Sequence, residues 1–436
     1  MPAIVTLDGK TFEPDLPKRL LSIAGEIRNA GGRAFLVGGW VRDALLGKDC
    51  RDYDVEVYDL TQDELIPILK KYGRTNLVGK AFGVIHLAMK GLSLDFSFPR
   101  TESKVGYGHR GFVVHTDEKL SFKEAALRRD FTINAMGMEL PELTLCDPYG
   151  GIDDLKKGLL RHVGPAFVED SLRILRGVQF ASRFALTLAP ETVELCKTLS
   201  LADLSIERLF EEFKKWLLKP GKPSLGLRAF LDIHLNAFFP EVFPLHKSWD
   251  ALGEMLDNME TVRRTLESEG KMLSDAQAME FAFAAFLSGN PETSLKFLER
   301  ITNETHLLKI VPQLVQAYSE LKFAIVNDAP ALRRLAVKLD GLKLLCLLVK
   351  CTPREFYASA GDTNFPENLW QAAADLDLLE CAPQPYLTGK MLMDMGVKPG
   401  KQMGEIIKKS FELQLDGKIA CTADAIAWAK DVVSRS

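Results

Sequence analysis

Near residue 150 the hydrophobic pattern of the chain changes its period, and this change limits the fold more than any other feature. Before it, AFLV at 34–37, DVEVY at 54–58, GVIHLAM at 83–89 and LSLDFSF at 92–98 have the length and the β-branched or aromatic content of strands. Helical stretches separate them, so residues 1–146 are expected to form an α+β head. After about residue 155 apolar positions recur at helical spacing, as in SLRILRGVQFASRF, IERLFEEFKKWLLK, AMEFAFAAFLSG and LRRLAVKLDGLKLLCLLVK. An all-helical remainder is expected there. The joint falls in DPYGGIDDLKKG, residues 147–158, where Pro148, Gly150 and Gly151 interrupt regular structure. PGKPS at 220–224 and APQPY at 382–386 mark further joints, dividing the helical part into 147–219, 220–385 and 386–436.

A chain of 436 residues has room for several cores, and 47% hydrophobic with 26% charged residues is a globular balance. No apolar run approaches the roughly 18 residues that span a bilayer, and the opening MPAIVTLDGK does not read as a signal peptide. The seven cysteines are scattered without a CxxC pair, so neither a zinc site nor a disulfide framework is suggested. A cytoplasmic protein without a membrane partner is expected. The net charge of −4 argues against nonspecific coating of nucleic acid, which depends on a basic field, and DNA is not an expected partner. Residues 156–230 nevertheless carry 13 Lys and Arg against 8 Asp and Glu. That bias reads either as a solvated helix surface or as a local basic face.

AFLVGGWVRDALLG reads as strand, glycine turn, a helix from near Trp40, and a helix-ending glycine at Gly47. Gly38 and Gly39 let the backbone pass close to a ligand, and the helix start offers free N–H groups. The arrangement suits a triphosphate, with Arg42 as an added donor, although many such turns are only turns. In RDYDVEVY, Asp52 and Asp54 lie two apart on a strand and face one side, with Tyr53 and Val55 on the other. Two carboxylates so close repel unless a cation sits between them, and hard oxygen ligands favour Mg²⁺. Asp95 in SLDFSF joins them if the strands are neighbours. Three acids around two metals are what in-line nucleotidyl transfer requires. A solvated acidic edge strand is the plain alternative for the Asp52–Asp54 pair alone.

Four segments, LVGGWVRDALLG, RDYDVEVY, RRDFTINAM and VEDSLRILR, resemble in this order the signatures of the class II tRNA nucleotidyltransferase and poly(A) polymerase family. The resemblance is strong over about 34–240 and continues weakly to LTGKMLMDMGVKPGKQMGEIIKKSFELQLDG at 387–417. It implies a nucleotidyltransferase head with a small mixed sheet over 1–146, a helical neck with a nucleotide-recognition motif over 147–219, a body over 220–385 and a tRNA-binding tail over 386–436. CTP and ATP would be the donors, the tRNA 3′ acceptor end the primer, and the product a CCA end. Residue by residue it implies metal ligands at Asp52 and Asp54, the third acid at Asp95, and phosphate contacts at Gly39 and Arg42. Arg128, Arg129, Asp130 and Asn134 would contact triphosphate and ribose. A charged helix start capped by Asp130 is the structural alternative.

Within VEDSLRILRGVQF, Asp170, Arg173 and Arg176 recur every three residues and would share one helical face. An acceptor beside donors matches cytosine and adenine, which both present an amino group next to a ring nitrogen. Guanine and uracil present the reverse order and would leave buried groups unpaired, at roughly 1–3 kcal/mol for each clash. An ordinary i,i+3 surface ion pair is the alternative. Many relatives carry another Arg where this chain has Gln179, with Arg183 a turn later, which bears on control of the C-to-A switch. Glu207 and Arg208 in IERLFEEFKKWL resemble the last neck motif and are expected to buttress helices. Residues 100–127 resemble the loop of members able to add A, which disfavours a CC-only enzyme. His234, His246 and His306 are the only histidines beyond 230 and none precedes an Asp, so no phosphohydrolase activity is expected. Rival readings are an A-adding enzyme, a poly(A) polymerase and, more distantly, a small-molecule nucleotidyltransferase.

Overall fold

Strands give way to helices in the computed structural model where the period changes. The structure describes residues 4–48, 50–78, 83–104, 112–219 and 221–434. Two compact units result: residues to Trp216 with Leu225–Phe238, and Leu217–Ser224 with Phe239–Ser436.

In the first unit, β1 (Ile4–Val5) and β2 (Thr11–Phe12) pair before α1 (Lys18–Asn29). Then come β3 (Arg33–Val37), α2 (Gly39–Leu45), β4 (Asp54–Tyr58), α3 (Gln62–Lys70), β5 (Arg74–Val78), β6 (Val84–Met89) and β7 (Leu92–Ser97). β8 (Arg100–Lys104) and β9 (Phe112–Thr116) form a separate antiparallel pair; the VGYGHRG stretch of the expected loop, 105–111, lies outside the described residues. α4 (Phe122–Ala126), β10 (Gly137–Leu140) and β11 (Thr144–Cys146) complete the head. The sheet runs β11-β10-β3-β4-β7-β6-β5, antiparallel throughout except for β4 and β7. It is therefore mixed, as the resemblance implies.

The parallel exception decides where the acids lie. β4 and β7 pair with Asp54 opposite Asp95, Val55 opposite Phe96 and Glu56 opposite Ser97, so each pair shares one face. Val55, Val57, Phe96, Ile85 and Leu87 are fully buried on the opposite face, and α1 packs on β3 and α3. The acid face grades from polar at the Asp54 end to aromatic at the other, where Phe35, Val37, Tyr58 and Phe122 join one core. Phe35 stacks on Phe122 at 5.0 Å and meets Tyr58 edge-on at 5.2 Å. Capping boxes, Thr61 with Glu64 and Ser121 with Glu124, start α3 and α4.

Beyond the head, α5 (Gly151–Lys157), α6 (Leu172–Phe184), α7 (Pro190–Lys197) and α8 (Ile206–Leu218) follow. In the second unit the helix Asp275–Leu287 is buried on all sides from Phe281 to Leu287, which explains why FAFAAFL lacks a polar stripe. Leu387, Leu392, Met403, Ile406, Ile419, Ala425 and Ala429 form a separate small core near the end of the chain. Among the described residues no helix is long and apolar enough to cross a membrane, and all seven cysteines are unpaired.

Glu280 is 8% exposed on the Asp275–Leu287 helix, and its carboxyl makes no hydrogen bond or ion pair among the described residues. Burial pushes it up to about 7 from an ordinary 4.5. The folded chain thus holds its proton to higher pH than the unfolded chain, so stability is fullest below pH 4.5 and is lost as pH rises to about 7. Glu280→Gln is expected to remove this slope, gaining about 2 kcal/mol over the wild type at pH 8 and nothing at pH 4. Urea unfolding at the two values, followed through the second unit, checks it.

Candidate active site

The turn between β3 and α2 needs glycine. Gly38 has φ +68°, and a Cβ there would sit 3.4 Å from Nη1 of Arg129. A Cβ on Gly39 would sit 3.3 Å from Nη2 of Arg42. Two guanidinium groups therefore flank the turn, which places cationic donors where the sequence suggests phosphate.

Asp54 begins β4, and Asp52 lies just before the strand and not within it. Pairing with β7 starts only at Asp54, so Asp52 has no strand partner to extend the ladder. Asp54 is surrounded by protein atoms without being covered by them. That desolvation, then the charges of Asp52 and Asp95, raises its carboxyl above the usual range. Repulsion of this kind is what a bound cation relieves. Asp95, opposite Asp54 in register, is turned to His86: Nδ1 lies 2.7 Å from its Oδ1. Among the described residues no group of three or more His, Cys, Asp or Glu converges closely enough to hold a metal. Asp95 is a neighbour of Asp54, with one carboxylate oxygen engaged by His86, and the three carboxylates do not form a ready cage.

Sequence reading missed Glu56. It is fully buried on the same face as Asp54, and its carboxylate accepts from Arg128 at 2.7 Å, from Arg129 at 3.5 Å and from the Tyr58 hydroxyl at 2.8 Å. Burial alone would raise this carboxyl, but the charges of Arg129 and Arg128 hold it below the usual range. Glu56 thereby anchors both arginines of RRDFTINAM. Nε of Arg129 is buried without a hydrogen-bond partner among the described residues, and Nη1 of the same guanidinium faces Gly38.

Asp130 precedes, and Asn134 ends, a single 3₁₀ turn, Thr132–Asn134, in place of the longer helix suggested by the sequence. Asp130 is buried, accepts from the Phe131 N–H and the Asn134 amide, and pairs with Arg176 at 2.7 Å. Asn134 in turn accepts from Arg42 at 2.5 Å. Arg42 also bonds Asp43 at 3.0 Å and lies 4.0 Å over the Phe184 ring, so it is a buried strut joining α2 to α6 as well as a neighbour of the turn.

Asp170, Arg173 and Arg176 do not share one helical face. α6 begins at Leu172, and Asp170 is extended ahead of it, its carboxylate accepting from the Leu172 N–H at 3.1 Å. The carboxylate pairs with Arg208 of α8 at 2.8 Å. Arg173 donates to the carbonyls of Ala166 at 2.5 Å and Arg128 at 2.6 Å. Arg208, expected only to buttress, is thus the charged partner of the residue proposed to read bases.

Residues 34–161 match the family described as the poly A polymerase head domain, which covers the glycine turn, both central strands, Glu56 and the RRD segment. The chain is also similar to curated proteins: a multifunctional CCA protein of Stenotrophomonas maltophilia is 40% identical over 222 residues, covering 49% of this chain and 53% of the relative. One of Chromobacterium violaceum is 42% identical over 201 residues, covering 44% and 47%. The chain spans about half the length of these curated relatives in the matches. Solved structures extend the fold beyond the head. The Thermotoga maritima CCA-adding enzyme complexed with tRNA superposes with a TM-score of 0.66 at 22% identity, covering 97% of both chains. A CCA-adding enzyme complexed with ATP gives 0.69 at 22% identity, again over 97% of both. The whole chain has their fold: an α+β head followed by helices.

Proposed function

We propose that this chain adds C and A to the 3′ end of tRNA from CTP and ATP, releasing pyrophosphate. The observation that carries the proposal is the register of β4 and β7, which sets Asp95 beside Asp54 on the face where Arg129, held by Glu56, meets the glycine turn. Relatives named multifunctional CCA proteins, and similar folds solved with tRNA, CTP and ATP, support it. Residues 1–146 would be the catalytic head, 147–219 the neck, 220–385 the body and 386–436 the tRNA-binding tail.

Enzymes of this family generally use divalent metals, and Mg²⁺ is the ion proposed here. Asp52 and Asp54 fit it by donor type and by the repulsion that a cation relieves. One or two carboxylates with substrate phosphates are the usual Mg²⁺ set, so no three-acid cage is needed beforehand. Bound there, the ions supply an acidified 3′-hydroxyl and neutralise charge on the α-phosphate and departing pyrophosphate. The chain does the rest. Gly38 and Gly39 admit the triphosphate to the backbone, and Arg129, with its unpaired Nε, takes phosphate oxygen beside them. Arg128 and Arg42 hold that wall in place, while Asp130 and Asn134 set the ribose side. Asp170, presenting an acceptor next to the guanidinium of Arg208, with Arg173 and Arg176 on the following helix, reads the base edge.

tRNA transcripts ending before CCA, after the first C, or after CC, each with CTP, ATP or both, test this reading. Completion of the full end on the shortest transcript only with both nucleotides is the expected result. Extension of the CC transcript alone identifies an A-adding enzyme, and long A tracts a poly(A) polymerase. Asp170→Ala is expected to cut the preference for CTP and ATP over GTP and UTP by about tenfold or more, the equivalent of one lost pairing. Misincorporation assays measure it, and unchanged preference would remove Asp170 from base reading.

A further inference from the structure

We infer that His86 is a positioning residue for Asp95, locked in its working tautomer by Ser93. The inference rests on the nucleotidyl-transfer reading above and adds two residues to it. His86 stands opposite Asp95 across the β6–β7 ladder, and Ser93, opposite Ala88, lies diagonally across from His86 on the same face. Nδ1 of His86 is 2.7 Å from Oδ1 of Asp95, and Oγ of Ser93 is 3.1 Å from Nε2. Proton bookkeeping fixes the roles. An ionised carboxylate only accepts, so Nδ1 of the neutral ring must carry the hydrogen. Nε2 is then the acceptor, and the Ser93 hydroxyl must donate to it. One oxygen of Asp95 is committed to this chain of donors, and Oδ2 is left to take a ligand.

A carboxylate on a strand has free rotation about two bonds, and half-exposed Asp95 has no other side-chain partner among the described residues to restrain it. Outer partners that orient ligating groups commonly matter by 10–100-fold in metal affinity or activity. The pair is partly open to solvent, with side-chain exposures of 34% and 49%, so the low end applies. A decorative surface pair would contribute nothing.

The full chain is titrated with Mn²⁺ in the presence of a CTP analogue bridged by methylene between the α- and β-phosphates, with free Mn²⁺ read by electron paramagnetic resonance. His86→Leu, which removes the donor, is expected to weaken Mn²⁺ binding about tenfold and to lower kcat with little change in KM for CTP. His86→Asn, whose amide nitrogen stands near the place of Nδ1, is expected to restore most of the loss, and Ser93→Ala to show a smaller one. A loss under threefold in His86→Leu overturns the inference, as does an Asn variant no better than the Leu variant. Asp54→Asn separates the two layers. If it keeps Mn²⁺ binding and incorporation, the nucleotidyl-transfer reading itself falls; if it loses both while His86→Leu keeps them, only the role of His86 falls.

Discussion

Replacing Asp54 with alanine is expected to lower nucleotide incorporation by about three orders of magnitude or more, since a carboxylate that organises bound cations contributes several kcal/mol at the transition state. Binding of tRNA, measured by filter retention without nucleotide, is expected to change by less than about threefold, because one acid contributes little to a phosphate-dominated interface. The melting temperature is expected to hold or rise. Asp54 is held near Asp52 and Asp95 against their repulsion, and removing a strained site group commonly relieves the fold while ending its function. A loss of activity accompanied by a lower melting temperature would instead mean that Asp54 is a structural residue.

Glu56→Ala is expected to be the costliest single change in the head. Its carboxylate is fully buried between Arg128, Arg129 and the Tyr58 hydroxyl. Removing one member of a buried ion pair leaves uncompensated charge and costs about 3–5 kcal/mol. Urea unfolding gives that figure directly. Glu56→Gln keeps the shape and one acceptor and is expected to lose less. Both variants free the arginine wall beside Gly38, so KM for CTP should rise in each, more in the alanine variant. Unaltered stability in Glu56→Ala would show that the arginines are satisfied without it.

Strand positions were legible to within a residue or two, because alternation of Val, Ile and Phe with polar residues has only one reading over five or six positions. Asp54 and Asp95 were legible as acids on strands, and their pairing was confirmed as a register once the parallel ladder was known. Local pattern was less informative at element ends. Asp52 looked like strand and lies before it; Asp170 looked like the first turn of a helix and lies ahead of it, where its carboxylate satisfies the free Leu172 N–H. Glu56 went unread because its partners lie 72 and 73 residues further on. The available signal was an acid between two valines on the side shared with Asp54, since such a residue is seldom buried unless paired. His86 and Ser93 alternate like ordinary strand residues. Only the antiparallel ladder brings them to Asp95.

Because Asp54 and Asp95 meet through main-chain pairing and not through a loop, their meeting is sensitive to counting. Inserting one residue in the β6–β7 hairpin near Gly91 would shift β7 by a single position, carrying Asp95 to the greasy underside and setting Leu94 where the acid had been. Every named site residue would still be present, yet the chemistry would be gone. Length variation in this head should therefore be tolerated in the separate β8–β9 pair, outside the central sheet, and not in the hairpin that feeds β7.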